Sequence, residues 1–272
     1  MSRRPCADGV GCLRLRSVWS VLLAVAVLLT FFAPGAARGA DQPWFELPVP
    51  LPPAQYGNIV IDRSSPLYDM PGVSFSHWRH RLQYTCRVCH YELGFEMKKN
   101  ETEITKEKLL NGEFCGACHN GTTAFDQTDC VRCHNGEISQ GEEKFSALDI
   151  LPRSEFGNKV DWTAAVKQRI INPKQSIFDD NFSPIRFRKF LRLEAEWMMI
   201  PPAVFSHRVH VRWLDCANCH PDVFNIKKKA TKHFSMMYIL EGKFCGVCHL
   251  TVAFPMDDCK RCHPAIKTGE ND

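Results

Sequence analysis

Beyond residue 40 the sequence has no excess charge of either sign. Five of its 34 basic and one of its 30 acidic residues fall in residues 1–40, leaving 29 of each after that. The formal net charge of +4 therefore belongs to the N-terminal segment and gives no support to a nucleic-acid partner. Long periodic stretches are also scarce, which excludes a long-helix bundle or a large sheet in favour of short helices and irregular loops with little strand. No Ser/His/Asp arrangement or spaced carboxylate pair is present, and no βαβ pattern surrounds a CxxC, so hydrolytic and thioredoxin-like chemistry lack a footing.

What the sequence does have is cysteine. Twelve of its 14 cysteines form six CxxC pairs: Cys86/Cys89, Cys115/Cys118, Cys130/Cys133, Cys216/Cys219, Cys245/Cys248 and Cys259/Cys262. Each pair is followed at once by a histidine: His90, His119, His134, His220, His249 and His263. With only 11 histidines in 272 residues, six such coincidences have odds on the order of one in 10⁸. Zinc ribbons do not require a histidine after each pair, and a disulfide framework leaves all six unexplained. CxxCH is the attachment signature of c-type haem: the two thiols add to the vinyl groups and the histidine becomes the proximal iron ligand. Two intervening residues supply the single helical turn this requires. The expected cofactors are six covalently bound haems c.

Arg3, Arg4, Arg14 and Arg16 precede the apolar run 17–33, and small residues follow at 35–40. Residues 1–40 are expected to be a secretory signal, with an uncleaved anchor as the alternative. Cys6 and Cys12 precede the apolar run and would leave with the signal. Export to the periplasm or the cell exterior suits haem c, which is attached outside the cytoplasm. About twelve propionates would make the mature holoprotein acidic.

The chain repeats itself. Cys86 to Cys115 and Cys216 to Cys245 are the same distance apart, and residues 112–134 match 242–263 with one deletion. "AQYGNIVID" (54–62) also reads like "SEFGNKVDW" (154–162). The expected organisation is a proline-rich extended lead-in at 41–74, one unit at 75–140, a haem-free connecting segment at 141–204 and a second unit at 205–268. In the connecting segment, 162–171 and 187–199 read as short amphipathic helices, the second stopped by Pro201 and Pro202. With roughly 39 residues per haem, the porphyrins themselves are expected to form the core, with Phe75, Phe114, Phe125, Phe205, Phe244 and Phe254 packed on them.

Each unit opens on FSHxxH: His77 and His80, then His207 and His210, nine residues before a CxxCH in both cases. Taken alone, an HxxH reads equally as a solvated helix face or a zinc pair. Its recurrence at one spacing reads as distal ligation of iron. Histidines at i and i+3 share one side of a helix, with Cβ atoms about 5–6 Å apart. They are too close to cap opposite faces of one haem, but well placed to reach two neighbouring haems.

The run "FSHWRHRLQYTCRVCH", followed by "CGACH" and "CVRCH", resembles the tri-haem cytochrome c7 family, relatives of the tetrahaem cytochromes c3. It is especially similar to larger exported chains that string such modules in tandem. The resemblance covers 75–134 and 205–263. It implies two tandem tri-haem c7/c3-like units, mostly irregular with short α-helices and with haems as the core. It further implies that His77 pairs with His90, His80 with His119, His207 with His220, and His210 with His249. It also suggests His233 for the His263 haem, where Met236 and Met237 compete and where an exposed histidine in a lysine run is the plainer reading. In the first unit Glu103 stands where His233 does, and Lys106 where Met236 does. The His134 haem is left with Lys106, a methionine such as Met97, a ligand from another segment or chain, or an open position.

Paired imidazoles leave no site for a substrate and give lower potentials than a methionine partner. The expected function is electron transfer through closely packed haems, not enzyme catalysis. Partners would be redox proteins: a membrane quinol oxidase or another cytochrome as donor, and a terminal reductase or outer-surface conduit as acceptor. An oxyanion reductase working at an open His134 haem, or a subunit of a haem filament that self-assembles, are the alternatives.

Overall fold

The computed structural model describes residues 47–194, 200–225 and 235–266. The signal-like segment, the first residues of the proline-rich stretch and His233 lie outside them.

Two short antiparallel hairpins organise the described chain. Strand β1 (Asn58–Ile61) pairs with β2 (Val73–Ser76), with Ile59 opposite Phe75. The β-branched run Ile59, Val60, Ile61 suits an extended, half-buried strand. The chain passes straight from β2 into the short helix α1 (His77–Arg81). Ahead of β1, residues 52–56 close into a turn in which the Pro52 carbonyl accepts from the amides of Gln55 and Tyr56.

The same construction returns downstream. Strand β3 (Phe190–Leu193) pairs with β4 (Ala203–Ser206), Leu191 lies opposite Phe205, and helix α5 (His207–His210) follows. This corrects two expectations. The stretch 187–199, read as a helix, contributes a strand at its described positions 190–193. Its residues alternate between exposed and half-buried, one sheet face and then the other, a two-residue period that the short sequence run also permits. The counterpart of β1 is consequently 190–193 and not the look-alike segment at 154–162.

Two further helices match across the repeat: α2 (Lys106–Leu110) and α6 (Met236–Leu240). Each begins on a hydroxyl cap, the Thr105 side chain accepting from Lys108 N–H and the Ser235 side chain from Tyr238 N–H. Each ends against a glycine inside a CxxCH. A Cβ on Gly116 would come within 2.0 Å of the Leu109 carbonyl oxygen, and one on Gly246 within 1.8 Å of that of Ile239. No other residue fits either position without moving backbone.

The haem-free connecting segment builds the protein's own core. Leu148, Leu151, Val160, Trp162 and Ala165 bury against Trp78 of α1, with Leu82, Phe145, Ile171 and Trp213 packed around them. Trp78 Nε1 donates to the Ala54 carbonyl and Trp162 Nε1 to Asn158 Oδ1, so neither indole leaves a buried donor unpaired. Helix α4 (Trp162–Lys167) starts on an Asp161 cap and stops four residues short of the expected Ile171, which folds back onto the cluster. Among the described residues only nine hydrophobic side chains are fully buried, a small core for a chain of this length.

A buried charge network ties the two repeats together. Arg87, inside the first CxxCH, pairs with Glu92 and with Asp215, which directly precedes Cys216. Its Nη1 also donates to the Gln175 carbonyl, its backbone amide to the Trp213 carbonyl, and its guanidinium carbon lies 4.0 Å from the Phe182 ring centre.

Two outcomes are expected in urea unfolding. Trp78→Ala should remove about 3–5 kcal/mol by opening a cavity at the centre of the core. Arg87→Ala should also be destabilising, by less than that, because it strands two partly buried carboxylates. Adding Glu92→Gln and Asp215→Asn to Arg87→Ala should recover part of that loss.

Candidate haem-binding sites

The six CxxCH segments each occupy about one turn of helix. Sites three and six are the helices α3 (Cys130–Cys133) and α8 (Cys259–Cys262), and site five ends in α7 (Gly246–His249). Sites two and four are 3₁₀ turns (Phe114–Ala117, Cys216–Asn218), and a wider π turn (Val88–Glu92) carries site one. In sites two to six the histidine N–H donates to the carbonyl of the first cysteine, at 2.8–3.0 Å. That closure puts both thiols and the imidazole on one side of the turn, as the spacing requires.

The histidine rings show a stronger regularity. Every described histidine has its Nδ1 within 2.5–3.2 Å of a backbone carbonyl oxygen. A carbonyl can only accept, so Nδ1 carries the proton and Nε2 presents its lone pair. Proximal His90, His119, His220 and His249 use carbonyls four to six residues downstream, at Phe95, Phe125, Phe224 and Phe254. His134 and His263 instead reach back to Pro71 and Pro201, just ahead of β2 and β4. In the HxxH pairs, His77 uses Gly57 and His207 uses Lys189, while His80 and His210 use Ser76 and Ser206 one turn before them.

Three of the four expected pairs face one another. The ring centres of His77 and His90 lie 6.5 Å apart with planes at 6°. His80 and His119 stand at 6.2 Å, and His210 and His249 at 6.2 Å, with more crossed planes. Two iron–nitrogen bonds of about 2 Å, plus roughly 1 Å from each nitrogen to its ring centre, span about 6 Å. The residues present therefore fit haem iron between each pair. His207 and His220 share the tautomer but stand in no ring contact. For His134 and His263, likewise, no facing imidazole is found among the described residues. Lys106 and Met236 do occupy equivalent places, each opening its helix.

Burial favours the neutral form, the one that can bind metal, in six of these imidazoles. It lowers His77 to about 3 and His249 to about 4, and lowers His80, His90, His119 and His210 as well. Of the six expected aromatics, Phe75 stacks on His80 and Phe205 on His210, at 4.5 and 4.4 Å between ring centres, and Phe125 and Phe254 lie against His119 and His249 at 4.3 and 4.2 Å.

The thiols show which sites adjoin. Burial raises Cys89 to about 12, with the neighbouring thiols of Cys115, Cys86 and Cys118 adding to it. Cys115, at about 11, feels Cys133 in the same way. Across the repeat, Cys248 is pushed up to about 12 by burial and then by Cys86, Cys219 and Cys245, while Cys245 feels Cys262. Thiols of sites three and two, of two and one, of one and five, and of five with four and six therefore lie close enough to influence one another. The first cysteines of sites three, four and six are exposed, whereas both cysteines of one, two and five are half-buried, as are the second cysteines of the other three.

The family model for cytochrome c7 and related cytochrome c matches residues 73–135 and 203–264, one stretch in each repeat. Both repeats are cytochrome c7-type modules. Among solved structures the chain is similar to the C-terminal hexaheme fragment of GSU1996, at 26% identity over 76% of this chain and 96% of that one, with a TM-score of 0.26. It is also similar to the dodecaheme cytochrome c GSU1996, at 24% identity over 78% of this chain and 75% of that one, with a TM-score of 0.25. At TM-scores this low no residue role carries over. Among curated proteins no significant match is found. The family and the paired cysteines together make this a multihaem c-type cytochrome of the electron-transfer class.

Exchanging His80 for Met in the c7-type module should raise the potential of one haem, because a thioether favours the reduced iron more than imidazole does. Redox titration followed in the visible spectrum checks it: one component should move upward and the remainder stay in place.

Proposed function

We propose that the chain is an exported electron carrier that holds six haems c, most of them between two histidines and at low potential. The observation that carries this reading is the uniform Nδ1–H to carbonyl bond, combined with three imidazole pairs at iron-spanning separation. Haem bound at these sites supplies reversible one-electron chemistry. The chain's own residues fix where that chemistry sits. The cysteines anchor each site on one helical turn, the carbonyls hold Nε2 toward it, and paired rings deny a substrate the sixth position. Sites one, two and five, half-buried at both cysteines, would form the interior of the row, and the exposed margins of three, four and six its points of entry and exit.

Partners on this reading are redox proteins, with a membrane quinol oxidase or another cytochrome upstream and a terminal reductase or outer-surface conduit downstream. The compartment is the periplasm or the cell exterior. Among the described residues no helix is long and apolar enough to cross a membrane. Catalysis on a small oxyanion at site three is a second reading. It is favoured by one observation: no described imidazole faces His134.

The denatured protein should weigh six haem equivalents more than its processed polypeptide. The ferric holoprotein should be mainly low-spin by electron paramagnetic resonance, with a high-spin share of at most about one iron in six. A colourless product ends the proposal. Cyanide binding by several haems would move it from carrier to enzyme.

A further inference from the structure

The two modules meet at Arg81, the last residue of α1. Its Nη2 donates to the Val252 carbonyl at 3.1 Å, three residues beyond His249. Its guanidinium carbon lies 5.1 Å from the centre of the Trp162 ring and 5.9 Å from that of Trp213. The charge bears on His77 and Cys86 in the first module and on Cys248 and His249 in the second. Arg81 thus stands where site one adjoins site five.

It stands there without a counterion. Arg87 has Glu92 and Asp215, and Arg261 has Asp258, but among the described residues no carboxylate pairs with Arg81. Asp257 and Arg81 both act on Tyr56, yet no ion pair joins them. The Tyr56 hydroxyl is itself buried and has no hydrogen-bond partner. A partly buried guanidinium without a counter-ion and a buried phenol without a hydrogen-bond partner are costly. Asp257 Oδ1 is likewise buried without a partner, and a further carboxylate reaching this junction would give the guanidinium a counter-ion and the phenol an acceptor. Each CxxCH brings two such groups, the haem propionates.

We propose that Arg81, with the Tyr56 hydroxyl as second donor, binds a haem propionate at the junction between sites one and five, and so sets the potential of the step between modules. The inference rests on haem attachment as proposed above. A fixed cation favours the form with one more electron, so it raises the potential of the haem it holds. A planar fork suits a carboxylate better than a point charge does, which makes Arg81 a positioning residue and not merely a positive one.

The test uses full-length holoprotein carrying Arg81→Gln, Arg81→Lys or Tyr56→Phe, with haem content first checked by denatured mass. If the wild type carries no haem, the attachment reading fails and this inference falls with it. With six haems in place, a redox titration resolved by haem through nuclear magnetic resonance decides. Arg81→Gln should lower the potential of one or both haems at Cys86/Cys89 and Cys245/Cys248 and leave the other four unmoved. Arg81→Lys should restore part of that shift, and Tyr56→Phe should give a smaller shift in the same direction. Should Arg81→Gln fail to load haem, Tyr56→Phe carries the test alone. Unchanged potentials, or a common shift of all six haems, overturn the proposal.

Discussion

The hydrogen bond from histidine Nδ1 to a main-chain carbonyl is the constraint on which the remaining structure turns. Each CxxCH needs an imidazole that offers Nε2, and each HxxH must offer two, aimed at different neighbours. A free imidazole divides itself between tautomers and rotates. Here every described ring is held by an acceptor that cannot itself donate. Much of the chain's irregular backbone can be understood as the scaffolding that brings those carbonyls to the rings. Pro71 and Pro201 lie 63 and 62 residues from the histidines they serve, so the hairpins exist in part to deliver them.

That arrangement explains how a chain with so few buried hydrophobic residues holds a defined shape. One small core, centred on Trp78 and Trp162, is assembled from the connecting segment against the first module. It lies under α1, which also carries His77 and His80, so the packing of the indole and the direction of these imidazoles are set together. The Arg87 network does for the second module what the core does for the first, since it binds Asp215 beside Cys216 to the turn that carries Cys86.

The six CxxCH segments and the two HxxH pairs stand out in the sequence because covalent haem attachment and iron ligation would demand particular side chains at particular spacings. The strand at 190–193 does not. Its task is to place the Lys189 carbonyl on His207, just as Gly57 serves His77, and a main-chain acceptor leaves no mark on residue identity. The likeness between 54–62 and 154–162 was therefore one of letters and not of role. Arg81 and Arg87 were equally silent, because their partners at Val252 and Asp215 are 171 and 128 residues away. His233, outside the described residues, stays a candidate known from sequence alone.

The amino-acid sequence by itself determined the chemistry of this protein. Cysteine pairs one helical turn from a histidine define haem attachment wherever the chain goes, since the requirement is local and covalent. Tertiary structure alone decided which main-chain carbonyls hold the rings and where, among the described residues, an arginine without a counter-ion falls between the modules. Those are relations between distant segments, created by backbone carbonyls and long-range packing that residue spacing does not encode.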